Sequence, residues 1–405
     1  MDIAGYDISC DVGVGRFNDV EIAHCIAAFL PASSGHADEI LYKRDNDSEW
    51  VIKLIYKKHR LRQVVSRMPE FELHALKTKI QEELEGACIE RIGQTIMFSR
   101  MPTRGYFKID SDLQILPVPP GSPLPSFFAA PHPFICQFRF KSSMLHSLNV
   151  SRMQSRCTEV ALILNLLLQF GIIHTNRISH QWITKNQTSE GRISFLAPEL
   201  VQMGYMLDGF QGQLESFSEP GALKALAEQP AESYYREIGP TVRSEMEVAT
   251  NTAELFRIFM KLSGESREKF VRAIFWYRQA DRLAAASASS AYLALIISID
   301  ALLPKQRGPA CPTCGLSQGK SATDAFVEFM DRYSPNDSEF ERSRKEFYRA
   351  RSRLAHGGVL ADDLSSTTIL HPEDIGDWLI DWGARPLVRL ALIAWLSECG
   401  QSETG

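Results

Sequence analysis

The sequence predicts an α+β protein, in which a mixed α/β region of about 240 residues precedes an all-α helical bundle. Up to residue 240, segments of alternating apolar residues are mixed with segments of helical spacing. From 241 to 405, nearly every apolar stretch has helical spacing. The 405 residues are 44% hydrophobic and 23% charged, a globular composition that excludes a disordered or fibrous chain.

The helices and strands of the first part follow from spacing and residue type. Segment 70–85 repeats apolar residues at intervals of three and four, as one face of a helix requires. Segment 50–56, WVIKLIY, is rich in the β-branched and aromatic residues that favour strands. In chain order we predict a helix at 19–30, a strand at 50–56, a helix at 70–85, strands at 89–98, 106–115 and 134–140, a helix at 151–170, and strands at 178–184 and 192–196.

A proline-rich segment, 117–133, interrupts this region with seven prolines in 17 residues. Because proline lacks an N–H and restricts φ, neither a helix nor a central strand can pass through it. We therefore predict a linker at 117–133. It would separate an α+β module at 1–116 from its continuation, or a middle domain, at 134–240.

The last part, 241–405, is predicted to be an all-α domain with a cysteine-containing insertion at 304–320. Ser266 fits the N-cap of the second helix, and Pro304 ends the third. The predicted helices are 245–262, 266–286, 289–303, 323–333, 339–356 and 375–398, the last interrupted or kinked at 383–386.

Charge and hydrophobicity exclude several classes of protein. The net charge of −5 argues against a chain that coats nucleic acid through its overall charge, so such binding requires a local basic patch. The longest apolar run, 160–173, is 14 residues and falls short of the ~20 that span a bilayer, so we expect a buried helix and no membrane partner. With no visible signal peptide and eight scattered cysteines, we expect a cytoplasmic protein.

The candidate catalytic residues lie in segment 341–358, ERSRKEFYRARSRLAHGG. Basic residues outnumber glutamates here by six to two, and a histidine follows them. Guanidinium groups bind phosphate, and imidazole transfers protons near neutral pH, so the segment suits chemistry on a phosphodiester. The alternative is a solvated helix face whose terminal histidine interacts with the helix dipole. The six basic residues are Arg342, Arg344, Lys345, Arg349, Arg351 and Arg353.

This segment resembles the HEPN superfamily of helical nucleotide- and RNA-binding domains. RSRLAH, from Arg351 to His356, fits its R-x-x-x-x-H motif. The wider string from Phe347 to Gly357 is similar to the Y-x-x-R-S-x-x-x-H-G segment of the Apea-like HEPN branch. The helix ALIISIDALLP, which begins at Ala294, resembles the helix that precedes the motif there. The likeness covers roughly 245–398, about 40% of the chain.

The resemblance implies an HEPN-like helical bundle and a metal-independent endoribonuclease. Its catalytic members cut RNA by attack of the 2′-hydroxyl and leave a cyclic phosphate, with a site usually completed across a dimer. By this resemblance His356 is the general acid and base, Arg351 binds phosphate, and Ser352 is the polar residue that often follows the arginine. The accompanying RNA-binding candidates are Arg344, Lys345, Tyr348, Arg349 and Arg353.

Helical geometry leaves the phosphate-binding arginine open. Ser352 and His356 are four residues apart and share a face. Arg351 and His356 are five apart, about 140° around a regular helix, whereas Arg349 and Arg353 share the face of His356. Either the end of the helix is distorted, or Arg349 does part of the work assigned to Arg351.

The resemblance further implies a regulated antiphage defence or toxin effector. Its substrate would be RNA, tRNA included, and the helical domain would form a homodimer. The N-terminal module would sense a trigger, bind a protein ligand, or select the target. The alternative is a non-catalytic HEPN adaptor that dimerises or holds a nucleotide.

Cys311 and Cys314, in the sequence CPTCG, resemble one half of a zinc knuckle. The sequence contains no second C-x-x-C, so the remaining ligands would come from other cysteines, from histidines such as His371, or from a second chain. The alternative is an ordinary turn. Zinc here would be structural, because catalysis in the HEPN superfamily, which segment 341–358 resembles, needs no cofactor. A zinc-stabilised adaptor protein is a third hypothesis, and it requires a complete four-ligand site.

Overall fold

The structure, a computed structural model, describes residues 6–15, 17–30, 32–36, 38–45, 49–86, 89–122, 130–168, 171–174, 182–185, 199–202, 207, 209–237, 244–284, 287–304, 322–355 and 374–402. Within these ranges the description covers the backbone alone at positions 32, 36, 182–185, 199–202, 322, 339, 342, 348, 352, 353, 355, 374–382 and 402.

The fold is α+β, with antiparallel sheet pairings in the N-terminal half and helices in the C-terminal half. The helices are α1 Asp19–Phe29, α2 Glu70–Glu85, α3 His146–Leu167, α4 Ala231–Arg236, α5 Thr252–Lys261, α6 Gly264–Leu283, α7 Ala288–Asp300, α8 Ala322–Tyr333, α9 Ser338–Ala355 and α10 Asp374–Ser402. The strands are β1 Tyr6–Asp7, β2 Ala32–His36, β3 Glu39–Lys43, β4 Trp50–Lys57, β5 Arg60–Ser66, β6 Glu90–Ser99, β7 Phe107–Ile109, β8 Leu113–Pro117, β9 His132–Lys141, β10 Ile173–His174, β11 Trp182–Lys185, β12 Glu199–Gln202, β13 Gln213–Leu214, β14 Glu228–Gln229 and β15 Val248–Ala249.

Most predicted elements are confirmed, and the differences concern where some of them begin, end or are divided. The strand predicted at 106–115 is a hairpin of β7 and β8, because the chain reverses at Asp110, which has φ 45°. The helix predicted at 245–262 begins at Thr252, because β15 precedes it and pairs in parallel with β14. The N-cap of α6 is Ser263 instead of Ser266. The strand predicted at 192–196 lies outside the described residues.

The proline-rich segment joins neighbouring strands. The second sheet has the order β10-β6-β9-β8-β7, with β13 also paired to β6. Pro117 ends β8 and Pro133 is the second residue of β9, where a missing N–H is tolerated. The segment 117–133 therefore connects two strands of one sheet instead of two domains, and 123–129 lie outside the described residues.

The chain divides into two compact units whose segments alternate along the sequence. The first unit comprises Met1–Gln94, Gln137–Cys157 and Gln211–Ser218. The second unit comprises Thr95–Cys136, Thr158–Phe210 and Glu219–Gly405. These bounds differ from the predicted 1–116, 134–240 and 241–405, because strands and helices distant in sequence pack together within each unit.

The first unit contains an antiparallel sheet in the order β1-β5-β4-β3-β2. Alternate residues of β4, such as Ile52 and Leu54, are fully buried with Ile22 of α1 and Ile80 of α2 in one apolar core. This alternation is what a strand with one buried face requires. Asn18 caps α1 by accepting a hydrogen bond from the N–H of Val20 at 2.9 Å.

The second unit is organised around α10, which packs against α4, α5, α6, α7, α8 and α9. Trp395 of α10 stacks on Phe270 of α6 with ring centroids 5.3 Å apart. The helix continues through Pro386, so the interruption predicted at 383–386 is wrong, and the kink predicted there as the alternative stays a prediction. Gly383 allows α9 to approach closely, because a Cβ there would lie 3.0 Å from the Cβ of Ser343.

Arg389 of α10 is a buried cation that binds the end of α3. Its Nε donates to the carbonyl of Leu166 at 2.7 Å and its Nη2 donates to that of Leu167 at 3.0 Å. These carbonyls lie in the last turn of a helix, where no intrahelical N–H donates to them. The helix dipole also favours a cation at this end. The side chain is 5% exposed and lies over the rings of Tyr234 and Tyr235, at 5.6 and 4.9 Å from their centroids.

The first part of the apolar run 160–173 forms the second half of α3, which ends at Leu167, whereas Ile173 belongs to β10. Val160, Ile163 and Leu167 are fully buried. Asn165, the polar residue among them, donates to the carbonyls of Ala161 and Ile172, both at 2.8 Å. Among the helices of the described ranges, none is both long and apolar enough to cross a membrane.

His174 of β10 is a buried neutral base. Its Nε2 lies 3.2 Å from the Oγ1 of Thr95. Burial, together with the positive charges of Arg278 and Arg282, lowers the pKa of His174 from 6.5 to about 4.

We predict that Arg389→Met destabilises the protein by about 3 kcal/mol, because the last carbonyls of α3 lose charged donors. Urea unfolding measures the loss. Arg332→Met is the matched control, because Arg332 is exposed and pairs with Glu398, and it should cost under about 1 kcal/mol. Equal losses in the two variants would contradict the role given to Arg389.

We predict that the protein loses about 3 kcal/mol of stability between pH 6.5 and 4 through His174. The unfolded chain binds a proton on this residue below pH 6.5, whereas the folded protein does not until about pH 4, so acid favours unfolding. Urea unfolding at several pH values tests this. His174→Gln should flatten the dependence, whereas His146→Gln, which removes an exposed histidine, should keep it.

Candidate active site

The candidate catalytic segment is carried by α9, which is helical up to Ala355, the residue before His356. Asp337 precedes the helix, and its Oδ1 accepts from the N–H of Phe340 at 3.3 Å, as an N-cap does. The backbone of Tyr348, Ser352 and Arg353 is helical, and their side chains lie outside the description. His356, Cys311 and Cys314 lie outside the described residues.

Aromatic side chains hold α9 against α7 and α8. Phe347 of α9 is 1% exposed. Its ring centroid lies 5.2 Å from that of Tyr292 on α7 and 5.6 Å from that of Phe326 on α8. This cluster sets the position of the next turn of α9, where Arg351 lies one turn beyond Phe347 on the same face.

Arg351 points into the space between these three helices. Its Nη2 lies 3.6 Å from Oδ1 of Asp300, at the end of α7, and its Nη1 donates to Oγ1 of Thr323 at 3.5 Å. The guanidinium carbon lies 4.9 Å from the ring centroid of Phe326, and the side chain is 15% exposed. Its Nε is buried and has no acceptor among the described residues. The guanidinium is therefore fixed in direction with one donor unused.

Asp300 is a weak electrostatic partner for Arg351. Burial raises the pKa of Asp300 above its ordinary value, and the charge and hydrogen bond of Arg351 oppose that shift only in part. The charge of Asp300, whose side chain is 38% exposed, is therefore only partly compensated by Arg351. Such a carboxylate orients a guanidinium and leaves it able to bind a stronger anion.

The other described candidates lie on the solvent side of α9 or at its beginning. Lys345 is 66% exposed and pairs with Glu341 at 2.6 Å, and Arg349 is 73% exposed and pairs with Glu346 at 3.2 Å. Arg344 is mostly buried and contacts Asn336 and Asp331, the latter at 3.8 Å. The structure thus separates the two arginines that the sequence left open: Arg351 lies inward and Arg349 outward.

The sequence analysis missed Asp300 and Thr323. Asp300 ends the helix whose sequence resembles the one that precedes the HEPN motif, but no spacing rule relates it to a residue 51 positions later. A polar residue at the end of an otherwise apolar helix was the only available signal.

The described residues include no group of three or more His, Cys, Asp or Glu side chains placed to hold a metal ion. The predicted zinc pair, Cys311 and Cys314, lies outside these residues and stays a prediction.

Searches of protein families, of curated proteins and of solved structures found no match to this chain. The assignment of a class therefore rests on the resemblance of 294–304 and 347–357 and on the contacts of Arg351.

We predict that Arg351 and Asp300 are energetically coupled by about 1 kcal/mol. Arg351→Met should destabilise the protein by about 2 kcal/mol, because it leaves a partly buried carboxylate unpaired. Combining it with Asp300→Asn should cost less than the sum of the two single changes. Urea unfolding of the four proteins of this cycle measures the coupling.

The same cycle with Arg349→Met and Glu346→Gln is the control. This pair lies on the same helix but is exposed, so we expect a coupling below about 0.5 kcal/mol. If the free energies of unfolding lost in Arg351→Met and Asp300→Asn simply add in the double variant, the two side chains are not coupled.

Proposed function

We propose that the protein is a metal-independent endoribonuclease of the HEPN type. The observation that carries the proposal is the placement of Arg351. It stands in the last two turns of α9, held by Asp300, Thr323 and Phe326 five residues before His356. A guanidinium that binds phosphate and a histidine that transfers protons are the pair that phosphodiester cleavage without a metal requires.

In this mechanism the 2′-hydroxyl of RNA attacks the adjacent phosphorus. The bond between the 2′-oxygen and phosphorus forms, and the bond from phosphorus to the 5′-oxygen of the next nucleotide breaks. His356 of one protomer accepts the proton of the 2′-hydroxyl, and a second His356 in the dimer donates a proton to the departing 5′-oxygen. The products are a 2′,3′-cyclic phosphate and a 5′-hydroxyl end.

Arg351 would bind the phosphoryl oxygens, on which negative charge accumulates in the transition state. Its Nη groups, whose contacts with Thr323 and Asp300 are long, at 3.5 and 3.6 Å, would supply the donors. Asp300 would act as a positioning residue, because it directs the guanidinium in the absence of RNA and competes weakly with a phosphate. Ser352 would add the polar contact that follows the arginine in the motif.

Lys345 and Arg349 would contact the RNA backbone beside the cleaved bond. Both are exposed and pair with glutamates of their own helix, Glu341 exposed and Glu346 half-buried, and such surface contacts have little net worth in water. Exchanging these partners for phosphate costs little and releases counterions from RNA, so binding should weaken as salt rises. Arg344, Tyr348 and Arg353 remain candidates of the same kind.

Cleavage of RNA would be toxic to the cell that makes the protein, so we expect the activity to be regulated. We propose that the protein is an antiphage or toxin effector, in which the N-terminal region senses a trigger or chooses the RNA, and in which two helical domains complete the site as a homodimer. The resemblance supports this part of the proposal.

A non-catalytic adaptor is the second candidate, and one observation favours it. The ion pair with Asp300 and the packing on Phe326 also give Arg351 a structural role, as a buried cation that joins α7, α8 and α9. In that case the helical domain dimerises or holds a nucleotide, and loss of Arg351 lowers stability without removing an activity.

We predict that the wild-type protein cleaves a mixture of total RNA and tRNA in EDTA, with cyclic-phosphate ends. His356→Ala should reduce the rate by about 10³-fold and Arg351→Met by about 10²-fold, because one loses proton transfer and the other transition-state charge stabilisation. Arg349→Met, the matched control, should lose less than 10-fold and show a smaller salt dependence.

Cleavage that survives both His356→Ala and Arg351→Met would place the activity at another site. If the wild type does not cleave, expression toxicity of the full chain beside His356→Ala separates an absent trigger from an adaptor. The full chain is required, because a 241–405 fragment would lack the α3 carbonyls to which Arg389 donates.

A further inference from the structure

The hairpin of β4 and β5, in the first unit, concentrates positive charge at its end. β4 ends at Lys57, β5 begins at Arg60, and the turn between them consists of Lys58 and His59. Arg62 follows on β5, and all five of these side chains are exposed. We call this segment, KKHRLR, the basic tip. It contains four lysine and arginine residues and no acidic residue, in a chain whose net charge is −5.

The turn of the hairpin holds two residues in a backbone conformation that favours glycine. Lys58 has φ 53° and His59 has φ 60°. A two-residue hairpin turn with positive φ at both positions is a type I′ turn, for which Asn-Gly is the preferred sequence. Neither lysine nor histidine is favoured in this conformation. Since folding of the turn does not account for these two residues, their side chains are candidates for a function.

A shift in strand register places both arginines of the basic tip in solvent. The pairing of β4 with β5 shifts by one residue beside Tyr56. Leu61 and Val64 are therefore both buried in the core, although residues three apart on a regular strand face opposite sides. Arg62 is the extra residue of β5 at this shift, and it is exposed, as is Arg60. The hairpin thus buries its apolar residues and presents its cations outward.

Two carboxylates near this hairpin are bound by other donors. Oδ2 of Asp19 accepts from the N–H of Leu61 at 2.9 Å, and Oε1 of Glu39 pairs with Lys53 at 2.7 Å. In the part of the chain that the structure describes, three cations of the basic tip form no ion pair with a carboxylate: Lys57, Lys58 and Arg62. An external anion can therefore bind them without displacing a carboxylate of the protein.

A strand of nucleic acid fits this charge better than a membrane surface does. Attraction between exposed charges fades over a Debye length of about 8 Å at physiological salt. A thin polyanion can lie within that distance of the basic tip alone, whereas a bilayer is an extended plane that also meets the acidic remainder of the protein. Among the described residues, no exposed large apolar side chain lies on β4, the turn or β5, so the hairpin has no apolar anchor for a bilayer.

We propose that the basic tip binds the phosphate backbone of single-stranded RNA. Its lysines and arginines neutralise successive phosphates and release counterions from the RNA, and its guanidinium groups donate charge-assisted hydrogen bonds to phosphate oxygens. The imidazole of His59 offers a ring on which an unpaired base can stack. The choice of RNA as the partner rests on the proposed function, and the basic tip would give the N-terminal region a means of holding the target RNA.

The test measures binding of a fluorescent single-stranded RNA by anisotropy. The full chain carries His356→Ala, so that the RNA stays intact during the measurement. Adding Lys58→Gln and Arg62→Gln should weaken binding about 10-fold at low salt and reduce the slope of log affinity against log salt by about 1.4, which corresponds to two phosphate contacts. Arg91→Gln is the matched control, because it changes an exposed arginine of β6 in the same unit, and it should weaken binding less than about 2-fold.

A second variant separates loss of binding from loss of folding. Lys58→Asn combined with His59→Gly gives the turn its preferred sequence and removes one lysine and the imidazole. This variant should melt a few degrees above the parent protein, because its turn residues favour positive φ, and should bind RNA at least about 3-fold more weakly. Weaker binding by a more stable protein excludes misfolding as the cause.

Three results would overturn the proposal: RNA binding that both basic-tip variants keep in full, anionic phosphatidylserine vesicles that bind through the tip more tightly than RNA does, or polyglutamate that does so. The last two would assign the tip to a membrane or to an acidic protein. Failure of the nuclease has a different readout. A wild-type protein that binds RNA through the basic tip and does not cleave it would keep this proposal and remove the catalytic one.

Discussion

The guanidinium of Arg389 at the end of α3 is the contact on which the helical part of the second unit depends. It is buried, and it donates to the carbonyls of Leu166 and Leu167, whose partial negative charge stabilises the cation. The contact places α10 relative to the buried half of α3. Because α10 in turn packs against α5 to α9, the position of α9 and its candidate site depends on this one charge.

Arginine has two different roles inside this unit. Arg389 and Arg267 donate to carbonyls near helix ends, Leu166 and Phe259 among them, and so complete secondary structure. Arg351 instead faces a carboxylate with a raised pKa. The first arrangement favours stability alone, whereas the second is one in which an anionic ligand improves the electrostatics.

The spacing of apolar residues along the sequence predicted most helices and strands. The features that it did not predict depend on contacts between residues that are distant in sequence. Segment 70–85 formed the predicted helix, because its apolar spacing and burial agree. The reversal at Asp110 carries no glycine, so the hairpin of β7 and β8 looked like one strand. Helical phase left open whether Arg349 or Arg351 binds phosphate, and this choice stays a prediction, because His356 lies outside the described residues. The contact of Arg351 with Asp300 depends on the crossing of α7 and α9, which a single sequence does not encode in any local pattern.

The close approach of α9 and α10 at Gly383 has a consequence for genetics. Any side chain at 383 would collide with Ser343 and push α9 outward. Arg351 is two turns further along α9, so that displacement would separate its guanidinium from Asp300 without touching either residue. A saturation mutagenesis screen that measures the proposed activity would therefore group Gly383 with the candidate site residues. Measuring the free energy of unfolding of the same variants would show that Gly383 instead allows α9 and α10 to pack closely.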